Sequence, residues 1–280
     1  MMVVASRLGR LCAITAEPRQ RTTSWPVVMV HGLGAGPEVW RNFQRAFAAA
    51  GVRSYALELP VSNGERAIGI ADYALLVSGA LAEVGPAVVM GHSMGGLIVQ
   101  KLAETSRHPG YVMLASVPPW HMLRAGYGPM WRALLRHPVR QVLGPRRRGQ
   151  VLFDTDFQAN LTQPRLTPAQ VQTTLGRGNA PGSARAAVDM ALGWVPVNAE
   201  AIHSPPLLLI GGEADRLIPP AEQQRLARHL GTSLRLFNRG HMLMIEDGWE
   251  EISAELLTWM AALHPRRIRG GVLALVPTAA

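Results

Sequence analysis

The chain has 280 residues, 48% of them apolar and 17% charged, a balance that excludes a disordered chain and suits a compact fold with a sizeable core. Lys and Arg outnumber Asp and Glu by 28 to 19, a formal charge of +9. The cations are scattered apart from Arg146-Arg147-Arg148 and Arg266-Arg267-Ile268-Arg269, so no nucleic-acid partner is expected. No apolar run nears the roughly 18 residues of a membrane span, and Cys12, the single cysteine, permits no intrachain disulfide. Arg7 and Arg10 interrupt the first residues in a way that fits a secretory signal poorly, which leaves the cytoplasm as the default location and export as disfavoured.

Val27 to Val30 is the first clear strand, and it runs into His31-Gly32-Leu33-Gly34-Ala35-Gly36-Pro37, too glycine-rich for a helix. Trp40 to Ala50 reads as a helix stopped by Gly51, and Arg53 to Leu59 as the next strand. Between Glu65 and Val84 the residues Ile68, Tyr73, Leu76, Val77, Ala80, Leu81 and Val84 recur at helical spacing, which predicts one long amphipathic helix ended by Gly85-Pro86. Ala87 to Met90 is a short, wholly apolar strand of the kind found inside a sheet covered on both faces. A helix from Met94 to about Ser106 and a strand from Tyr111 to Ala115 follow.

The alternation lapses over 117–201. Trp120, Trp131 and Trp194, several Met and many Pro and Gly accompany helix-like pieces near Met130 to Arg136, Thr167 to Leu175 and Ser183 to Leu192. The strand pattern resumes at Leu207 to Gly211, followed by helix Pro220 to Leu230, strand Leu234 to Asn238 and helix Gly248 to Leu263. The expected fold class is therefore α/β, a doubly wound, mainly parallel sheet. Its core is 1–116 with 202–264, its inserted helical cap is 117–201, and 265–280 is expected to be a mobile tail.

The strongest chemical signal is Gly91-His92-Ser93-Met94-Gly95-Gly96, between a buried strand and a helix. A serine at so sharp a turn needs neighbours without a β-carbon two residues away on each side, which Gly91 and Gly95 supply. The turn aims the positive end of the following helix at the hydroxyl, where negative charge would develop. A hydroxyl needs a base, and histidine is the usual one. Among nine histidines, His241 follows the last strand across Asn238-Arg239-Gly240, at the same C-terminal sheet edge as Ser93. His92 adjoins the serine but points elsewhere, and His31 is expected to brace its own loop. Asp215, in Gly211-Gly212-Glu213-Ala214-Asp215-Arg216, is the candidate acid that orients the base, with Glu213 as its rival. Backbone N–H groups of Met94 and Leu33 are the candidate oxyanion donors. Histidines and acids show no His-Glu-x-x-His spacing, so neither a metal nor another cofactor is expected.

These landmarks together resemble the α/β-hydrolase superfamily, in the style of its capped serine esterases, over about Val27 to Leu263. The resemblance is carried by the His31 to Gly34 loop, Trp40, the Gly91 to Gly96 elbow, the Gly211 to Asp215 loop and Gly240-His241. Glu58-Leu59-Pro60-Val61-Ser62-Asn63-Gly64 departs from the family's usual segment after the second strand. The family's early antiparallel strands must also fit before residue 27, which points to an abbreviated N-terminal edge. The resemblance implies attack of Ser93 on a carbonyl and an acyl-serine intermediate, the partner being a moderately hydrophobic small acyl substrate. Trp120, Met122 and Trp194 are the candidate substrate contacts in the cap. A slow or inactive ligand receptor and an acyltransferase are the alternatives, and the number of subunits is left open.

Overall fold

The computed structural model describes residues 1–22, 25–63, 66–119, 150–151, 182–202 and 206–263. The helix-like pieces near Met130 to Arg136 and Thr167 to Leu175, and the segment 265–280, lie outside them, so the division into core, cap and tail is left to proposal.

The central strands are β3 (Val27–Val30), β4 (Ser54–Glu58), β5 (Val88–His92), β6 (Gly110–Leu114) and β9 (Leu207–Gly212), with β10 (Ser233–Phe237) beyond them. Before them lie β1 (Met2–Leu8) and β2 (Leu11–Glu17). These eight form one sheet in the order β1-β2-β4-β3-β5-β6-β9-β10. Pairing is antiparallel from β1 to β4 and parallel from β4 to β10. A short pair, β7 (Gln150–Val151) with β8 (Gly182–Ser183), stands apart.

Strands buried on both faces carry apolar residues at every position, and alternate residues enter opposite layers. Val28, Val30, Val89, Met113 and Leu209 pack with residues of α2 (Ile70–Val84), α3 (Met94–Thr105) and α5 (Pro220–Leu230). Val27, Met29, Val88, Met90, Val112, Leu208 and Ile210 pack on the other face, against Trp40 and residues of α1 (Arg41–Ala49) and α6 (Trp249–Ala262). A further helix, α4 (Ala184–Ala191), touches α2. No helix among the described residues is long and apolar enough to cross a membrane.

Two departures from the sequence reading have local causes. The early antiparallel strands, expected before residue 27 from the resemblance but not placed on residues, are the β1–β2 hairpin, which turns at Gly9 with φ 57° and fits both into the first 17 residues. Most of β1 is exposed, so it lacks the one-face apolar alternation that marks a strand. The helix expected from Glu65 begins at Ile70, because Ser62 and Ala67 form an antiparallel bridge and Gly69 is extended. Asp72 then accepts the Gly69 N–H at 3.0 Å, and Asp189 of α4 accepts that of Ile70 at 3.0 Å, so the first free donors of α2 are satisfied.

The sheet reverses its winding at β3, which has β4 on one side and β5 on the other. At such a switch point the loops leaving neighbouring strands diverge and open a crevice at their C-terminal ends. The loops after β3, β5, β9 and β10 all leave by that edge.

Candidate active site

Ser93 sits between β5 and α3 with φ 54° and ψ −115°, a region that non-glycine residues seldom occupy. Such a conformation costs on the order of 1–3 kcal/mol and persists only where its surroundings impose it. Here they do. The Ser93 N–H donates to the Leu114 carbonyl at 3.0 Å, and the Ser93 carbonyl accepts from Gly96, Leu97 and Val117. A β-carbon on Gly91 would overlap the Gly95 carbonyl, and one on Gly95 would overlap the Val30 carbonyl.

The loop after β9 brings Asp215 to His241, whose Nδ1–H donates to Asp215 Oδ2 at 2.8 Å, both side chains being buried. Asp215 Oδ1 accepts the N–H groups of Leu217 and Ile218, each at 2.8 Å. With the proton of neutral His241 held on Nδ1, its Nε2 keeps a lone pair, as a proton acceptor requires. Close approach of the two loops depends on Gly212, where a β-carbon would overlap the Gly240 carbonyl. Glu213, the rival acid, is exposed. Among the described residues the Ser93 hydroxyl makes no hydrogen bond. Ser93 and His241 are linked through His92, whose ring lies 4.7 Å from that of His241, centroid to centroid.

Leu33 and Met94, the expected oxyanion donors, have backbone N–H groups without an acceptor among the described residues. Gly32 brings the first of these loops against the elbow, since a β-carbon there would stand 3.1 Å from Ser93 Cβ. The loop is pressed from outside by β8: a β-carbon on Gly182 would lie 2.6 Å from Leu33 Cδ1 and 3.0 Å from the Gly34 nitrogen. Of the expected substrate contacts, Trp120 and Met122 lie outside the described residues. Trp194 is 61% exposed, with the Arg185 guanidinium 6.0 Å from its ring centroid, and no contact joins it to Ser93, Asp215 or His241.

His31 does brace its loop: Nδ1–H donates to the Gly32 carbonyl at 2.8 Å and Nε2 accepts the Leu59 N–H at 3.1 Å. Burial lowers its pKa from 6.5 to about 4, against the raising effect of the Gly32 carbonyl. The unfolded chain therefore binds the extra proton first, and stability falls as pH drops from 6.5 towards 4. The full loss for this one group is about 3 kcal/mol. His92, driven well below its ordinary value chiefly by burial, adds in the same direction. Urea unfolding should accordingly show a lower midpoint at pH 5 than at pH 7.5, with a shallower pH slope for His31→Gln. An unchanged midpoint would refute the assignment of a buried neutral His31.

Two residues near His241 carry no weight in the sequence reading. His92 Nε2–H donates to the His241 carbonyl at 3.0 Å, while its Nδ1 has no partner among the described residues. Glu246, only 2% exposed, accepts the Gly240 N–H through Oε2 at 2.6 Å and the Met242 N–H through Oε1 at 3.1 Å. The available signal was an acid closing the run Met242-Leu243-Met244-Ile245, where every neighbour on one side is apolar. Among the described residues no group of three or more His, Cys, Asp or Glu could hold a metal ion.

A doubly wound sheet with a strained serine at one edge, and an Asp–His pair at the same edge, defines the hydrolase class of α/β proteins. The model of the Alpha/beta hydrolase family matches residues 27–255, and the chain belongs to that family. Monoacylglycerol lipase of Mycolicibacterium smegmatis is 30% identical over 214 residues, 71% of this chain and 73% of that protein. Among solved structures, a Paleococcus ferrophilus monoacylglycerol lipase matches with a TM-score of 0.65 at 20% identity, covering 94% of this chain and all of that one. A thermophilic esterase from Thermogutta terrifontis matches with a TM-score of 0.64 at 18% identity, over 94% and 100% of the two chains.

Proposed function

We propose that the protein hydrolyses carboxylic esters through an acyl-serine intermediate. Ser93 is the nucleophile, His241 the general base and then general acid, and Asp215 the residue that orients the imidazole. The observation that carries this reading is the buried 2.8 Å bond from His241 Nδ1 to Asp215 Oδ2 at the edge that holds the strained Ser93. Nε2 takes the Ser93 proton as Oγ attacks the ester carbonyl, and the tetrahedral oxyanion is met by the N–H groups of Leu33 and Met94. Collapse expels the alcohol with the proton from Nε2. Water then repeats the sequence on the acyl-serine and restores the hydroxyl. The Ser93 to His241 bond is one that tightens as substrate arrives. No step requires a cofactor or metal.

For substrate we propose a moderately hydrophobic acyl ester, in keeping with the name monoacylglycerol lipase borne by the Mycolicibacterium smegmatis relative. Segment 117–201 is proposed as the cap, with Trp120, Met122 and Trp194 as its contacts to the acyl group. The test is a panel of p-nitrophenyl esters, monoacylglycerols, thioesters and lactones of graded chain length. Rapid release of one phenol per enzyme, followed by slower turnover, together with an acyl adduct on the Ser93 peptide by mass spectrometry, is the expected result. Tight binding without release would replace the reading with a receptor, and release accelerated only by added alcohols would replace it with an acyltransferase.

A further inference from the structure

We propose that Glu246 is a positioning residue of the hydrolytic centre, its carboxylate clamping the backbone on both sides of His241 and lending a fixed negative charge to the base. The inference rests on the reading of Ser93, His241 and Asp215 given above.

Gly240 and Met242 flank His241, and both point their N–H groups at the one carboxylate, at 2.6 Å and 3.1 Å. Only a carboxylate offers two acceptor oxygens and no donor to such a pair; an amide would turn an NH2 group against one of them. The third polar group of the stretch, the His241 carbonyl, is held from the opposite side by His92 Nε2–H at 3.0 Å. His241 thus stands on a peptide fixed at three consecutive points. The Glu246 and Ile245 N–H groups return to the Met242 carbonyl, closing the loop on itself. Asp215 fixes the ring; Glu246 fixes the backbone from which the ring projects.

The Glu246 side chain stands in an interior that disfavours charge, held there by two backbone N–H donors. Burial pushes the Glu246 carboxyl up, the Gly240 and Met242 donors and His241 pull it back, and the Asp215 carboxylate adds to the rise. The ionisable groups facing this loop are Asp215 from beyond β9 and His92 from the end of β5, with Arg239 and Glu251 of α6 paired at its outer side. In the attack on the ester the imidazole gains a proton, and a second carboxylate nearby favours that state over the neutral one.

The experiment compares Glu246→Gln and Glu246→Asp with the parent protein on one p-nitrophenyl ester. Rates are taken per active site titrated by the burst, and thermal unfolding is followed in parallel. Glu246→Gln is expected to lower kcat by on the order of 10- to 100-fold with KM little changed, the scale of a misplaced catalytic group. The acidic limb of its kcat/KM profile should move to lower pH, because the base loses a neighbouring negative charge. Glu246→Asp, which keeps the charge, should restore the limb and part of kcat; if the Gln variant yields no folded protein, the Asp variant carries the test through its kcat alone. Full kcat with an unmoved limb in folded variants, whatever their melting temperatures, overturns the proposal. Ser93→Ala, run beside them, separates the two readings: activity surviving there sinks the serine mechanism itself, whereas an inactive Ser93→Ala beside a fully active Glu246→Gln sinks only the clamp.

Discussion

Ester turnover by Ser93→Ala drops by on the order of 10⁵ to 10⁶ in kcat. The hydroxyl is the group proposed to form the new bond, and the elbow carries no second hydroxyl to replace it. A residual acceleration of about 10³ over water should survive, because the proposed oxyanion donors of Leu33 and Met94 belong to the backbone and outlast the substitution. His241→Ala should fall about as far, and the double variant little further, since nucleophile and base act as one unit. Steady-state rates on a single activated ester, with protein purified free of host esterases, check this. A Ser93→Ala rate within about tenfold of the parent, barely more than 1 kcal/mol of barrier, would mean that the bond is broken elsewhere.

Gly91→Ala is the second large effect, and it falls on the fold. The added methyl would overlap the Gly95 carbonyl and crowd the Gly96 nitrogen, neither of which can move without unseating the first turn of α3. An overlap with backbone has no rotamer to relieve it, and the cost should reach about 4 kcal/mol or more. For a chain of this size that lowers the melting temperature by about 10 °C, or leaves no soluble protein. Gly79→Ala is the contrasting control. Its added methyl meets nothing within 4 Å on α2, so it should stabilise by about 0.5–1 kcal/mol through helix propensity. Equal melting temperatures for the two variants would contradict the elbow geometry.

The same contact explains why the elbow could be read in the sequence at all. Gly91, Ser93 and Gly95 are fixed by a local steric demand, and a demand met within five residues leaves a visible pattern. The parallel strands were legible for a similar reason, since burial on both faces forces unbroken apolar runs such as Val27 to Val30. β1 was not, because an exposed edge places little demand on its side chains. The start of α2 was missed because Asp189, one of the residues that cap it, lies 119 positions away from Ile70. Glu246 shows the same limit at the site: its partners are backbone N–H groups, which every sequence has. What distinguishes it is the folded position of the loop, not the identity of Gly240 or Met242.

The pressure of Gly182 on the Leu33 to Gly34 turn has a practical bearing. Gly182 lies within the stretch 117–201, proposed as the cap, that a protein engineer would randomise to change which acyl chains are accepted. Its backbone rests on the Leu33 side chain and the Gly34 nitrogen, one peptide along from the Leu33 N–H proposed to stabilise the reaction's charged intermediate, so substrate choice and turnover rate share a mechanical link. Libraries in that stretch should yield selectivity changes that travel with changes in speed, unless Gly182 is held constant.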